Sequence, residues 1–157
     1  MWKKIKPYII SVLIALAVGG VSALLTKNNM DIYNTIRKPL LAPPSIVFPI
    51  VWGVLYVLMG IGSAMVYNEL NGEKLLRNSA LKTYVIQLAV NFLWSILFFN
   101  LRAFLISFVW LLLLLVLVLV MSIQFIRIKP VAGYLQIPYI LWIGFAGYLN
   151  FMIWLLN

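Results

Sequence analysis

Five long stretches of the chain carry no charged side chain, and this feature limits the possible folds more than any other. They lie between Lys6 and Lys27, Lys38 and Glu69, Lys82 and Arg102, Arg102 and Arg127, and after Lys129. Each can supply the roughly 20 apolar residues that cross a bilayer core. Because 65% of the 157 residues are hydrophobic and only 10% are charged, the chain has too little polar surface for a water-soluble domain. We therefore predict an all-α, polytopic membrane protein with five transmembrane helices.

The charge-free stretches place the helices at about 7–26, 45–68, 79–100, 103–127 and 131–156, in a single transmembrane domain over residues 1–157. The first apolar stretch, residues 8–25, is longer than the 7–15 residues typical of a signal peptide and has no A-x-A-like site after it. We interpret it as a retained span. The loop between the first two helices is long for a compact bundle, which is typical of a functional loop.

Lysine and arginine are distributed unevenly between the two ends of the predicted bundle. Eight lie on the side of the N-terminus and four on the other side. By the positive-inside rule we predict a multi-pass protein of the cell membrane with a cytoplasmic N-terminus. We interpret the net charge of +9 as cations at the helix ends that contact lipid head groups. Because the chain has no basic helix face and no soluble region, we expect no nucleic-acid partner.

The residues that the chain lacks exclude several classes of function. It contains no cysteine and no histidine, and its only acids, Asp31, Glu69 and Glu73, lie in predicted loops. Thiol and imidazole nucleophiles and Cys/His metal sites are therefore excluded. No carboxylate lies at membrane depth, which argues against proton-coupled transport through an intramembrane acid. We predict no metal site, no required cofactor and no conventional enzyme active site.

A polar stripe follows the third predicted helix. Gln87, Asn91 and Ser95 recur at steps of four, so they share one face, and Asn91 falls near the middle of the membrane. Such side chains normally face the bundle interior. The stripe is compatible both with hydrogen bonds between helices and with binding of a ligand.

Aromatic residues recur at similar steps on the second and fifth predicted helices. Phe48, Trp52 and Tyr56 share a face of the second, and Trp142 shares a face of the fifth with Ala146. They lie within their spans rather than only at the interfaces where aromatic belts occur. Glycines accompany them, at positions 53, 60, 144 and 147. This pattern is compatible equally with close helix packing and with a pocket for a flat ligand.

Four prolines mark the entrance to the second helix, in the run KPLLAPPSIVFPIVWGVLY. Pro43 and Pro44 prevent a helix before about residue 45, and Pro44 suits a first helical turn. Pro49 lies about one turn further in. We expect it to remove a helical hydrogen bond, bend the helix and leave a carbonyl near residue 45 in need of another partner.

Three runs together resemble one protein family. They are PPSIVFPIVWGVLYVLMGIGSAMVYNEL, QLAVNFLWSILFF and IPYILWIGFAGYLNFMIW. In order and spacing they resemble the translocator protein family, also called the TspO/MBR family, tryptophan-rich sensory proteins or peripheral-type benzodiazepine receptors, and in particular a bacterial member. The resemblance implies a five-helix bundle, commonly a homodimer. It also implies a pocket near the first loop for tetrapyrroles such as protoporphyrin IX and for isoquinoline-carboxamide or benzodiazepine-type ligands.

The resemblance also implies which residues form the pocket. Trp52, Asn91, Trp142 and Ala146 match the family motifs, Tyr33 of the first loop would lie above them, and Phe92 and Leu149 are further wall candidates. With the aromatic stripe of the second helix, the candidate ligand-binding residues are Tyr33, Phe48, Trp52, Tyr56, Asn91, Phe92, Trp142, Ala146 and Leu149.

These features predict a receptor or carrier for porphyrin-like small molecules. The alternatives are a light- and oxygen-dependent porphyrin-degrading enzyme, with Tyr33, Trp52, Phe92 and Trp142 as redox-active candidates, and a transporter or stress regulator. Leu41 stands where family members usually have an aromatic residue. The family's sterol-recognition pattern ends in Lys or Arg, but neither occurs after Lys129, so we do not expect specific cholesterol binding.

Overall fold

The computed structural model describes all 157 residues, and they form helices and loops without a strand. The helices are α1 (Trp2–Thr26), α2 (Ile32–Thr35), α3 (Val47–Asn68), α4 (Lys74–Ser95), α5 (Phe104–Ile128), α6 (Pro130–Tyr134) and α7 (Ile137–Leu156), with a π-helical turn at Ile96–Asn100. Five segments are long and apolar enough to cross a membrane: α1, α3, α4 with the π turn, α5, and α6 with α7. The predicted all-α membrane fold with five spans is confirmed.

Several helix boundaries differ from the prediction. Helix α4 begins at Lys74, about five residues early, because good helix formers such as Lys, Leu and Arg extend it beyond the apolar stretch. Glu73 precedes it in an extended conformation and its carbonyl accepts a hydrogen bond from the Arg77 N–H at 3.1 Å. The fifth predicted helix is divided at residues 135–136 into α6 and α7. The short helix α2 in the first loop was not predicted.

The helices pack in neighbouring pairs, α1 on α3, α4 on α5, and α5 on α7. Small residues allow the closest approaches, as is usual where helices meet in a membrane. A Cβ atom placed on Gly60 would lie 2.6 Å from the Val12 Cα, so α1 and α3 cross almost backbone to backbone there. The apolar interior lies between these pairs, and Met59, Leu114 and Phe125 are fully buried in it.

The proline-rich entrance to α3 contains a correction. The expectation that Pro49 costs a helical hydrogen bond is wrong, because α3 begins at Val47 and Pro49 therefore lies in its first turn. The N–H groups of that turn have no helical partner in any case. The Ser45 carbonyl is not left unpaired either, since it accepts a hydrogen bond from the Phe48 N–H at 3.3 Å.

Asparagine side chains hold the first loop to the same end of the bundle. Asn29 donates to Asn100 Oδ1 at 2.9 Å, and Asn100 donates to the Leu25 carbonyl at 3.1 Å. Asn157 accepts from the Arg37 N–H at 3.0 Å and donates to the Arg37 carbonyl at 2.9 Å. These four bonds connect the loop with the ends of α1, α4 and α7, and so position α2 over the bundle.

The π-helical turn follows α4 directly. Its wider spacing is closed by a hydrogen bond of 3.0 Å from the Leu101 N–H to the Ile96 carbonyl, five residues earlier. The chain then reverses at Arg102, which has a φ of 52°. The turn brings the Phe98 and Phe99 rings to 5.5 and 6.3 Å from the Trp94 ring. The rings of Trp94, Phe98 and Phe99 thereby form one aromatic cluster.

Candidate functional site: an aromatic cavity between three helices

A cavity of about 300 Å³ lies between α1, α3 and α4, on the side of the first loop. Its lining is mainly apolar. The aromatic side chains that line it are Phe48, Trp52, Tyr56, Trp94 and Phe99. Asn91 and Ser95 of α4 add polar groups, so the cavity has the usual composition of a small-molecule site, apolar walls with a few placed polar atoms.

Helix α1 forms one wall of this cavity with small and hydroxyl-bearing residues. Gly19, Gly20, Ser22, Ala23 and Thr26 all line it. At Gly19 a Cβ atom would overlap the Tyr56 ring, so the glycine is needed for that ring to lie against α1. Sequence reasoning assigned no site residue to α1. The signal was nevertheless present, because small residues recur there at helical spacings of three and four.

Trp52 lies at the centre of the aromatic contacts. Its ring centroid is 5.8 Å from that of Tyr56, 6.3 Å from that of Trp94 and 6.5 Å from that of Trp142. Trp142 meets Trp52 edge to face, with an interplanar angle of 87°. Edge-to-face contact is a favoured arrangement for aromatic pairs. The sequence-predicted residues Trp52 and Trp142 are thus in contact across α3 and α7.

Trp142 contacts the site without lining the cavity. It packs against Phe48 at 5.7 Å and against Trp52, and it is absent from the cavity wall. Its indole Nε1–H is buried and has no hydrogen-bond partner. A buried donor without a partner is costly, so this N–H is available to an acceptor brought into the bundle.

A second void of about 20 Å³ lies next to the cavity. Tyr33, Ala146 and Leu149, all sequence-predicted site residues, line this second void and not the larger cavity. Three aromatic residues line both spaces and form the partition between them. They are Phe48, Trp94 and Phe99. Phe92 lines neither space, so the structure does not bring it to the other candidates.

Asn91 belongs to a chain of buried hydrogen bonds that starts at the cavity. Tyr56 Oη donates to Asn91 Oδ1 at 3.1 Å, and Asn91 Nδ2 donates to Tyr139 Oη at 2.7 Å. Tyr139 in turn donates to Gln87 Oε1 at 2.8 Å, and Gln87 Nε2 donates to Met59 Sδ at 3.6 Å. Of the two interpretations of the polar stripe, the structure shows the hydrogen bonds between helices, and it also places Asn91 in the cavity wall.

A separate group of hydrogen bonds orients Trp94. The Trp94 indole N–H donates to Asn150 Oδ1 at 3.2 Å, and Ser107 Oγ donates to the same oxygen at 3.0 Å. Asn150 Nδ2 donates to the Phe104 carbonyl at 2.7 Å. Sequence reasoning named none of these as site residues, although Asn150 falls on the same helical stripe as Trp142. Together they fix the plane of one cavity wall.

Tyr33 closes the bundle at the first loop. Its hydroxyl donates to the Pro43 carbonyl at 2.8 Å, and its ring packs on Phe48 at 4.9 Å. The Lys38 ammonium lies 4.5 Å from the centre of the Tyr33 ring, a cation–π contact. Burial raises the pKa of the Tyr33 phenol above its ordinary value. Leu41, in contrast, has 68% of its surface exposed and takes no part in this closure.

Comparison with known proteins gives one consistent result. The model of the TspO/MBR family matches residues 11–155. The chain is 38% identical to the tryptophan-rich protein TspO of Archaeoglobus fulgidus over 94% of both chains, and 34% identical to that of Chlorobaculum tepidum over 100% of this chain and 99% of the relative. It is also 36% identical to the translocator protein of Bos taurus, over 78% of this chain and 72% of the relative. The chain therefore belongs to the TspO/MBR family and is a multi-pass membrane protein.

Proposed function

We propose that this protein is a membrane receptor or carrier that binds flat aromatic small molecules, porphyrins such as protoporphyrin IX in particular, in the cavity between α1, α3 and α4. Isoquinoline-carboxamide and benzodiazepine-type molecules are the proposed synthetic ligands. The observation that carries the proposal is the wall of aromatic rings around Trp52 with the Asn91 amide set into it. Flat faces for stacking and a few polar groups to orient the ligand suit this class of molecule.

The size of the cavity indicates how a macrocycle would be accommodated. Ligand pockets commonly measure about 300–1,000 Å³, so the 300 Å³ cavity is small for a tetrapyrrole. Phe48 is half-buried and lies between the cavity and the second void. Rotation of its ring would join the two spaces and add Tyr33, Ala146 and Leu149 to the wall. It would also move one of the rings packed against Trp142, whose indole N–H is unpaired.

Cations at the first loop suit the carboxylates of a porphyrin. Lys38 lies over Tyr33, which packs on Phe48, and the Arg37 side chain next to it is exposed. Ammonium and guanidinium groups form their strongest hydrogen bonds with carboxylates. We propose that these two residues hold the propionate groups at the mouth while the ring system lies below.

Titration with protoporphyrin IX in detergent tests the proposal, with tryptophan quenching and the porphyrin absorption band as independent readouts. Trp52→Phe is expected to weaken binding about tenfold, the loss of 1–1.5 kcal/mol of ring contact. Trp154→Phe on the surface of α7 is the matched control and should leave affinity unchanged. Phe48→Ala should strengthen porphyrin binding by opening the partition at one of its three aromatic residues. Equal affinities in the wild type and the Trp52 and Phe48 variants would refute the site.

Light-dependent oxidation of a bound porphyrin by dioxygen is the second candidate function. The observation that favours it is a continuous series of ring contacts, from Tyr33 through Phe48 and Trp142 to Trp52, with centroid separations of 4.9, 5.7 and 6.5 Å. In this function the porphyrin is both photosensitiser and the molecule oxidised. A new absorbing product formed under light and lost in Trp142→Phe would support it. Bleaching at the same rate without protein would exclude it.

We further propose that the protein is a homodimer in the cell membrane with a cytoplasmic N-terminus. The orientation is supported by the eight Lys and Arg residues on the N-terminal side against four on the other. Light scattering in detergent should give about twice the chain mass of 17.9 kDa for the protein component. Uptake of porphyrin into proteoliposomes would distinguish a carrier from a receptor, and binding without uptake would leave the receptor or a role in stress regulation.

A further inference from the structure

A basic cleft of about 650 Å³ lies at the opposite end of the bundle from the aromatic cavity. It is formed where the start of α1, the end of α3, the start of α4 and the start of α6 meet. Four cations line it, Lys3, Lys4, Arg77 and Lys129, together with a single carboxylate, that of Glu69. The lining thus carries a formal charge of +3.

The contacts within the cleft leave most of this charge free. Glu69 Oε2 lies 3.4 Å from Lys129 Nζ, and this is the one salt bridge in the structure. Arg77 is half-buried and donates one N–H, from Nη1, to the Glu69 carbonyl at 3.0 Å. This bond holds the guanidinium in place and leaves its other donors for an anion with two oxygens in one plane. Lys3 and Lys4 have no acidic partner.

The cleft continues into a second groove that runs along α1 towards the membrane interior. The groove shares Lys3, Tyr67 and Asn68 with the cleft, and its other lining residues are Lys6, Pro7, Ile10 and Ser11 of α1. Cations at the mouth, tyrosine at the level of the head groups and apolar surface below follow the arrangement of a phospholipid itself. A soluble phosphate would use only the first part of this surface.

We propose that the basic cleft is a binding site for an anionic phospholipid, with the phosphodiester at Arg77, Lys3 and Lys4 and an acyl chain in the groove beside Pro7 and Ile10. The site is separate from the aromatic cavity. It holds the start of α1 to the start of α4, because the lipid head group bridges Lys3 and Lys4 of α1 and Arg77 of α4.

Native mass spectrometry in a neutral detergent tests this site with phosphatidylglycerol and phosphatidylcholine of identical acyl chains. Wild-type protein should bind phosphatidylglycerol at least tenfold more tightly. The double variant Lys3→Gln, Lys4→Gln should weaken that binding about 25-fold, from about one kcal/mol per cation at a membrane surface. The fold should survive, because Asn68 contacts the backbone carbonyl of Lys4 and not its side chain.

The matched control is the double variant Lys74→Gln, Lys82→Gln. It removes two exposed charges from the same side of the membrane but outside the cleft, and should weaken binding less than threefold. Equal weakening by both pairs, or equal binding of the two lipids, would overturn the site. Displacement of the lipid by equimolar deacylated glycerophosphoglycerol or inorganic phosphate would also overturn it, by identifying the occupant as a soluble phosphate.

Discussion

Replacing Tyr139 by phenylalanine tests the chain of hydrogen bonds that joins α3, α4 and α7. The Tyr139 hydroxyl accepts from Asn91 at 2.7 Å and donates to Gln87 at 2.8 Å, and all three residues are at least 98% buried. Phenylalanine keeps the ring and its packing but leaves an amide N–H of Asn91 and a carbonyl oxygen of Gln87 without these partners. The variant therefore isolates the contribution of one hydroxyl group.

The expected loss follows from the two bonds. Hydrogen bonds between helices in membrane proteins contribute about 0.6 kcal/mol on average and up to about 1.7. Two of them, both fully buried, give a decrease of about 1–3 kcal/mol in the free energy of unfolding. Tyr56→Phe removes only the bond to Asn91 Oδ1 and should cost about half as much.

Unfolding in mixed micelles with increasing sodium dodecyl sulfate, followed by tryptophan fluorescence, measures these differences. Tyr148→Phe is the matched control, because it makes the same chemical change on α7 at a residue with 40% of its surface exposed. Its free energy of unfolding should equal that of the wild type within a few tenths of a kcal/mol. If Tyr139→Phe is no less stable than Tyr148→Phe, the chain does not stabilise the bundle and the reasoning is refuted.

Three further predictions concern packing, orientation and pH. Gly60→Ala should destabilise the protein by about 1–3 kcal/mol, because the added methyl group overpacks the crossing of α1 and α3. Gly144→Ala is the control and should not destabilise the protein, because the space around Gly144 is open. Equal unfolding midpoints for the two variants would contradict this. Because the chain has no cysteine, single cysteines introduced at Asn28 and Asn71 can report its orientation in the membrane. A membrane-impermeant maleimide should label Asn28→Cys on intact cells and Asn71→Cys only after lysis. The reverse labelling pattern would show that the orientation is inverted. Burial raises the pKa of Tyr33, so its stabilising contribution is complete below the unfolded pKa of 10.0 and is lost as pH rises through the higher folded value. The stability difference between wild type and Tyr33→Phe should therefore shrink only at strongly alkaline pH, and shrinkage already near neutral pH would contradict this.

The five spans could be predicted because a transmembrane helix is recognisable from its own sequence, as a stretch of about 20 residues without a charge. The helix ends were less predictable. Lys74 lies outside the apolar stretch, yet the helix continues to it because helix propensity does not depend on burial. The start of α3 was predicted two residues too early, which placed Pro49 beyond the first turn, since that start depends on how the preceding turn forms its hydrogen bonds.

The candidate site could be predicted one helix at a time but not as an assembly. Periodicity placed Gln87 and Asn91 on an inward face, and both are buried. Their partner Tyr139 was not predicted, because the rotation of α7 against α4 depends on packing that no local pattern records. The wall supplied by α1 was missed for a related reason, since small residues such as Gly19 have the same sequence pattern in close helix contacts and in cavity walls.

The sulfur of Met59 sets the direction of every hydrogen bond in the buried chain. A thioether can accept a hydrogen bond but cannot donate one, so Gln87 must turn its NH₂ group towards Met59 and its oxygen towards Tyr139. Tyr139 therefore donates to Gln87 and accepts from the Asn91 NH₂ group, which leaves the Asn91 oxygen to accept from Tyr56. The single hydroxyl proton of Tyr56 is thus used in this interior hydrogen bond. At the cavity the Tyr56 oxygen can offer lone pairs alone. The Met59 sulfur, which does not line the cavity, thus determines that the Tyr56 oxygen can bind a donor, such as a pyrrole N–H, and cannot bind a carbonyl.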